Sequence, residues 1–239
     1  MYFTKSILVA GMLLLCSSLF AQPVPDITAP TKQAMEIGLQ VGTASIAGDI
    51  AAPDFFTWRA ANINIGVFAL LPIDSKLSLK FGISFNELNA TDVDFPRNAT
   101  RRMVSSNTLT EISALMQWEP LQNENFDEEG KFIKGISPYF YFGLGLAIGS
   151  ADVDFGNIEF NQPAAVNQDI ENARSSFITL PFGLGLKGYI SDQFTLGVEA
   201  GLRPVFSDYL DGISQSANPE MNDWYGVLNL TAGYRLKKN

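Results

Sequence analysis

Five windows of this chain alternate large apolar residues with small or polar ones at a strict period of two. In residues 76–86, Leu77, Leu79, Phe81, Ile83 and Phe85 alternate with Ser78, Lys80, Gly82, Ser84 and Asn86. Residues 62–71 set Ile63, Ile65, Val67, Ala69 and Leu71 against Asn62, Asn64 and Gly66. The same alternation runs through residues 139–149, 177–190 and 194–203, where glycines fill much of the second face. Successive side chains of a strand point to opposite faces, so each window predicts a strand with one apolar face. Weaker versions at residues 36–47, 108–118 and 227–236 bring the number of predicted strands to eight.

The connections decide what kind of sheet these strands build. Residues 71–76 and 190–194 are tight turns, built on Pro72-Ile73-Asp74-Ser75 and Ser191-Asp192-Gln193. Residues 48–58, 89–107, 151–175 and 207–223 are long, polar links on the opposite edge. Short turns on one rim and long loops on the other predict an all-β, eight-stranded antiparallel up-and-down transmembrane β-barrel, with short periplasmic turns and longer extracellular loops. Residues 119–135 depart from the pattern, being long and acidic on the short-turn rim.

The apolar face has two possible placements. A soluble lipocalin-like barrel turns it inward around a ligand, and a membrane barrel turns it outward. The polar faces carry glycine and small residues with charges spaced singly: Glu36, Lys80, Glu111, Lys187, Glu199, Arg203 and Arg235. A water-facing surface carries more charge than this. Three acids against four bases is near the balance a closed lumen requires, because an unpaired buried charge is costly. Glu199 and Arg203, four residues apart on one face, are placed in one ion-pair cluster. Trp58, Trp118, Tyr189, Trp224, Tyr225 and Tyr234 fall near predicted strand ends, where amphipathic rings sit at headgroup level.

Residues 1–21 read as an export signal: a short start with Lys5, an apolar run from Ile7 to Leu15, and Ala21 before Gln22. Residues 22–34 are then a leader and residues 35–239 the barrel. Cleavage after Ala21 removes Lys5 and the sole cysteine, Cys16, leaving 15 basic against 25 acidic side chains. Lipidation of Cys16 is the alternative, but Leu15 before it is bulkier than the small residue such processing takes. The rest of the chain has no apolar stretch long enough for a membrane helix. With a net charge of −9 and no basic run, the chain is a poor nucleic-acid binder. The absence of histidine removes the usual acyl-transfer triads and most zinc sites.

The chain resembles a family of small Bacteroidetes outer-membrane barrels that includes the type IX secretion component PorG. The resemblance runs from Met35-Glu36-Ile37-Gly38, with Gly48-Asp49 at the first loop, to the last strand. Its more specific parts are Pro138-Tyr139-Phe140-Tyr141-Phe142-Gly143-Leu144-Gly145 and Pro181-Phe182-Gly183-Leu184-Gly185-Leu186-Lys187. The strongest signal is Leu196-Gly197-Val198-Glu199-Ala200-Gly201-Leu202-Arg203 followed by Phe206-Ser207-Asp208-Tyr209-Leu210-Asp211-Gly212. The resemblance implies an outer-membrane protein of a Gram-negative bacterium, in contact with outer-membrane lipid. In the secretion-system members it implies contact with a periplasmic ring of partner proteins. On that rim Glu119, Glu124, Asp127, Glu128 and Glu129 form an acidic patch suited to a basic partner, and a merely solvated loop is the alternative. The chain departs from many outer-membrane strands by ending Tyr234-Arg235-Leu236-Lys237-Lys238-Asn239 rather than on an aromatic.

No catalytic, cofactor or metal site is expected. Asp92-Val93-Asp94-Phe95 and Asp152-Val153-Asp154-Phe155 repeat paired carboxylates, but neither is followed by the glycine and glutamate of a calcium loop. Asp208 and Asp211 read either as flanking a site or as a turn with a positive φ at Gly212. The expectation is a non-enzymatic anchoring or scaffold barrel with a side-chain-filled lumen. The alternative is a standalone barrel whose extracellular loops, residues 151–175 above all, bind a ligand or surface.

Overall fold

In the computed structural model, the described residues are 34–50, 61–94, 100–121, 132–220 and 222–236. The export signal, most of the leader, Trp58 and the acidic run Glu124 to Glu129 lie outside them. The strands are β1 (Glu36–Ala47), β2 (Asn62–Pro72), β3 (Leu77–Thr91), β4 (Val104–Trp118) and β5 (Gly135–Ile148). After β6 (Ala151–Asp154) come two short helices, α1 (Ile158–Asn161) and α2 (Pro163–Asn172). They are followed by β7 (Ser176–Thr179), β8 (Phe182–Tyr189), β9 (Phe194–Pro204) and β10 (Trp224–Arg235).

Each strand pairs antiparallel with its neighbour, and β10 returns to β1, closing the sheet. The ten segments make eight barrel strands. β6 continues β5 against β4 in unbroken register, and β7 runs into β8 across Leu180 and Pro181. Followed partner by partner from Glu36 through Leu70, Lys80, Leu115, Gly143, Pro181, Arg203 and Tyr225, the register returns to β1 at Ile46, ten residues along. At ~3.3 Å per residue and ~4.8 Å between strands, that stagger tilts the strands about 40° from the barrel axis.

The predicted apolar faces point outward. Leu39 is 64% exposed, Ile63 60%, Leu144 62% and Leu230 61%, with Phe81, Ile83, Phe85, Phe140, Phe142 and Leu184 beside them. A continuous apolar girdle on this scale is unsuited to water and matches the outward band of a transmembrane barrel, which overturns the soluble alternative. Its height follows from β3, where outward apolar residues run from Leu77 to Phe85 and then give way to Glu87 and Asn89. Nine residues are the span a tilted membrane strand needs.

Beyond that level β3 and β4 continue and their pattern inverts. Glu87, Asn89, Ser106 and Thr108 face out, while Leu88, Ala90 and Leu109 are buried. The inward apolar residues join Ile46, Ile50, Met103, Phe155, Val166, Phe177, Leu210 and Ile213 in one core that stops the extracellular mouth. At the other end the turns are as tight as expected. Asp74 accepts from Lys76 N at 2.7 Å and Leu77 N at 2.8 Å, and the Ser191 hydroxyl accepts from Phe194 N at 3.0 Å.

The aromatic belt is smaller than its sequence outline. Trp118 packs against Phe140 with ring centroids 6.2 Å apart, Phe194 against Tyr234 at 5.2 Å, and Phe182 against Trp224 at 6.5 Å. Tyr189 and Tyr225 turn into the lumen instead, because carboxylates there accept their hydroxyls.

Candidate functional site

The lumen is filled by three tiers of paired charge, and glycines make the room. Tyr139 and Tyr141 lie across the glycine tracks of β8 and β9: a Cβ on Gly185 would meet the Tyr139 ring at 2.3 Å, and one on Gly201 the Tyr141 hydroxyl at 1.9 Å. In the central tier Lys80 pairs with Glu199, which also accepts from the Tyr139 hydroxyl at 2.9 Å. Toward the long loops Arg203 reaches Glu111 at 3.4 Å, and Glu111 also takes the Tyr225 hydroxyl. Glu199 and Arg203 therefore share the lumen but have different partners.

At the short-turn end Lys187 lies 3.7 Å from Glu36 and 3.1 Å from Glu119. Glu119 also accepts from Tyr189 at 2.9 Å and Gln117 at 2.9 Å. Glu119 was expected on the periplasmic acidic patch. It is 5% exposed and faces the lumen, where Lys187, Tyr189 and Gln117 together replace the water it gives up. It is the fourth acid, and with Glu36, Glu111 and Glu199 it balances Lys80, Lys187, Arg203 and Arg235. Arg235 rests over the Tyr189 ring at 5.4 Å. The space between Glu36, Ser78, Glu119, Lys187, Tyr189 and Arg235 is about 10 Å³, room for one water.

The second cluster is at the mouth, and it joins the sequence segments that carry the family resemblance. The backbone N–H of Asp49 donates to Asp211 Oδ2 at 3.0 Å, so the first loop is tied to the Asp208–Gly212 loop some 162 residues later. Leu210 inserts fully into the apolar core, Tyr209 packs against it, and Gly212 takes a φ of +80° that lets the chain turn back. Ile213 N donates to Asp211 Oδ1 at 3.0 Å, and Leu210 N to Asp223 at 2.8 Å. Asn107 and Ser105, on the inward face of β4, donate to the Leu210 and Asp211 carbonyls at 2.6 and 2.7 Å. Asp169 on α2 accepts from Gln215 N and Ser216 N, at 2.8 and 3.0 Å, which holds the helix pair over the same loop.

Burial dominates the acidity of this cluster. It pushes Asp49 up to about 6, Asp208 to about 7 and Asp211 to about 8, with Asp49 and Asp208 adding to the rise at Asp211. Asp223 is raised well above the ordinary carboxylate range, by burial first and by Asp211 and Asp208 next. Sequence reasoning singled out Asp208 and Asp211 but missed Asp49, Asp169 and Asp223 as their neighbours. Only the signature pairing of Gly48-Asp49 with the late loop pointed toward this cluster.

The other carboxylate pairs are structural. Asp92 accepts from the Arg101 guanidinium at 2.8 Å and from Met103 N at 3.0 Å, and Asp154 accepts from Gly156 N at 2.9 Å; Thr91 and Asp154 pair with Val104 from opposite sides, so the start of β4 lies between the two repeats. Among the described residues no group of three or more histidine, cysteine, aspartate or glutamate side chains is arranged to hold a metal ion. No described helix is long and apolar enough to cross a membrane.

Residues 23–237 match the family described as "Domain of unknown function (DUF6089)". No curated protein matches the sequence. Among solved structures, the attachment invasion locus protein Ail of Yersinia pestis aligns at 12% identity and a TM-score of 0.46, over 86% of this chain and 100% of that one. Neisserial surface protein A aligns at 13% and 0.47, over 84% and 97%. Escherichia coli Outer Membrane Protein W aligns at 12% and 0.43, over 86% and 100%.

Proposed function

The chain belongs to the DUF6089 family, and on that footing we propose that it is a non-enzymatic protein of the Gram-negative outer membrane, a PorG-like anchoring or scaffold subunit of a secretion machinery. The observation that carries this reading is the plugged lumen. Among the described residues, four acids stand beside four bases in the lumen and an apolar core stops the mouth, so they offer neither an open path for solutes nor a free acid–base pair. What remains to act is its two ends and its lipid-facing wall. After removal of residues 1–21 the barrel sits in outer-membrane lipid and presents its short-turn rim to periplasmic ring proteins. With Glu119 committed to Lys187, the contact on that rim is assigned to Glu124, Asp127, Glu128 and Glu129.

A second reading has its own observation. The extracellular loops share a buried core and carry two helices, so they form a built surface, as a standalone barrel binding a ligand or surface through its loops requires. The deciding experiment is purification of the tagged full chain from outer membranes in mild detergent, with identification of what stays bound in high salt. Co-purifying periplasmic proteins, lost in the variant Glu124→Gln, Asp127→Asn, Glu128→Gln, Glu129→Gln, are expected. A barrel that elutes alone and loses function only when residues 151–175 are replaced overturns the scaffold reading in favour of the second.

A further inference from the structure

Among the described residues, the mouth holds more carboxylates than its cations match. Asp49, Asp169, Asp208, Asp211 and Asp223 converge there from the first loop, from α2 and from the β9–β10 connection. Among the described residues, the principal charges acting on Asp49, Asp208, Asp211 and Asp223 are one another, Asp169 and Arg101. The Arg101 guanidinium is already engaged, by Asp92 through both Nε and Nη2 and by the Asp49 carbonyl at 2.7 Å. Asp169 is satisfied by backbone donors and by the Ser216 hydroxyl.

Of the remaining four, Asp49 accepts from Asn218 N at 3.2 Å, and Asp208, Asp211 and Asp223 are crowded. A Cβ on Gly48 would lie 2.8 Å from Asp211 Oδ2 and 2.5 Å from Asp223 Oδ1, so those two oxygens are no more than about 5.3 Å apart. Asp208 is 9% exposed, and both its carboxylate oxygens are closed off from solvent without a well-formed hydrogen bond from the described residues. The Ser214 hydroxyl offsets only part of the effect of its burial. A buried carboxylate with no donor is the arrangement that favours the neutral acid, and of two crowded carboxylates one keeps its proton.

We propose that Asp208, Asp211 and Asp223 form a proton-operated latch, which holds the β9–β10 connection against Gly48 and Asp49 while protonated and releases it when the protons leave. The inference goes beyond the scaffold reading and stands on the barrel and its mouth alone. Its sign follows from linkage. In the closed mouth Asp208 stays neutral to about pH 7 and Asp211 to about pH 8, with Asp223 raised in the same direction, whereas in an opened, hydrated loop they ionise near their ordinary value of 3.8. The closed form binds more protons, so the stabilisation of closure is full below about pH 4, falls as pH rises above that and is lost by about pH 8. Release exposes the apolar core around Leu210 and Ile213.

Amide hydrogen exchange on the full chain in detergent micelles, corrected for the intrinsic effect of pH and run with and without EDTA, tests this. Leu210 and Ile213 report directly, because their N–H groups donate to Asp223 and Asp211. Their protection is expected to fall at least tenfold between pH 6 and pH 9 while the strands below Phe85 stay unchanged. In Asp208→Asn, Asp211→Asn, Asp223→Asn the two pH values are expected to agree, with folding checked by the heat-dependent gel shift of a closed barrel. Should that variant fail to fold, Asp208→Asn alone, which breaks no well-formed hydrogen bond, is expected to shrink the pH effect. Equal wild-type protection at pH 6 and 9 overturns the proposal. So does protection lost on adding EDTA at constant pH, which would assign closure to a bound cation.

Discussion

At the residue scale, the energy of the lumen is concentrated in groups that cannot be left alone. Glu111→Gln removes the counter-charge from Arg203, which is 3% exposed, and is expected to cost about 3–5 kcal/mol, read as a lowered urea midpoint in micelles. Tyr225→Phe removes one donor to the same carboxylate, for about 1.5–3 kcal/mol. Tyr141→Phe removes a hydroxyl that has no well-formed bond among the described residues and is expected to stay within about 1 kcal/mol of the parent. The inward charges were legible from sequence because they interrupt a face of glycines and small residues. Glu119 was not, because it sits one residue past the last alternating position of β4, where a sequence reads the start of a loop. Tyr189 and Tyr225 were misplaced for a related reason: an aromatic at a strand end suits either an interface or a lumen carboxylate, and only the register decides.

At the scale of elements, all eight strands were legible, because one face of each had to meet lipid. Their upper limits were not. Above Phe85 the strand leaves the hydrocarbon, and its outward side becomes polar while its inward side becomes the apolar plug. A period-two template held in one phase reads that inversion as the end of the strand, which is why β3 and β4 run several residues beyond their predicted ends. The tight fit between strands yields a paired prediction. A Cβ on Gly42 would lie 2.0 Å from the Leu228 carbonyl oxygen, a backbone atom, whereas one on Gly82 would meet the Ser113 hydroxyl at 3.2 Å and the Val67 carbonyl oxygen at an ordinary 3.7 Å. Gly42→Ala is therefore expected to destabilise by about 1–3 kcal/mol or more, and Gly82→Ala by less than about 1 kcal/mol, compared by the temperature of the gel shift.

At the scale of the whole molecule, an eight-stranded barrel is just wide enough to be filled by its own side chains. Reconstituted into planar bilayers at neutral pH, the protein is expected to show no steady ohmic conductance, and regular conductance steps would mean that the plug is not closed. The way the plug is wired also bears on how such a barrel is made. Lys80 meets Glu199 across 119 residues of chain, Glu111 meets Arg203 across 92, and Glu36 meets Lys187 near the opposite end of the barrel. Every one of these pairs joins the first half of the chain to the second. A chain that stops before β9 therefore carries Lys80 and Glu111 with no counter-ion to accompany them into the bilayer. The same charges that make the finished lumen inert thus make insertion of an incomplete chain costly, because a charge taken out of water without its partner is strongly unfavourable.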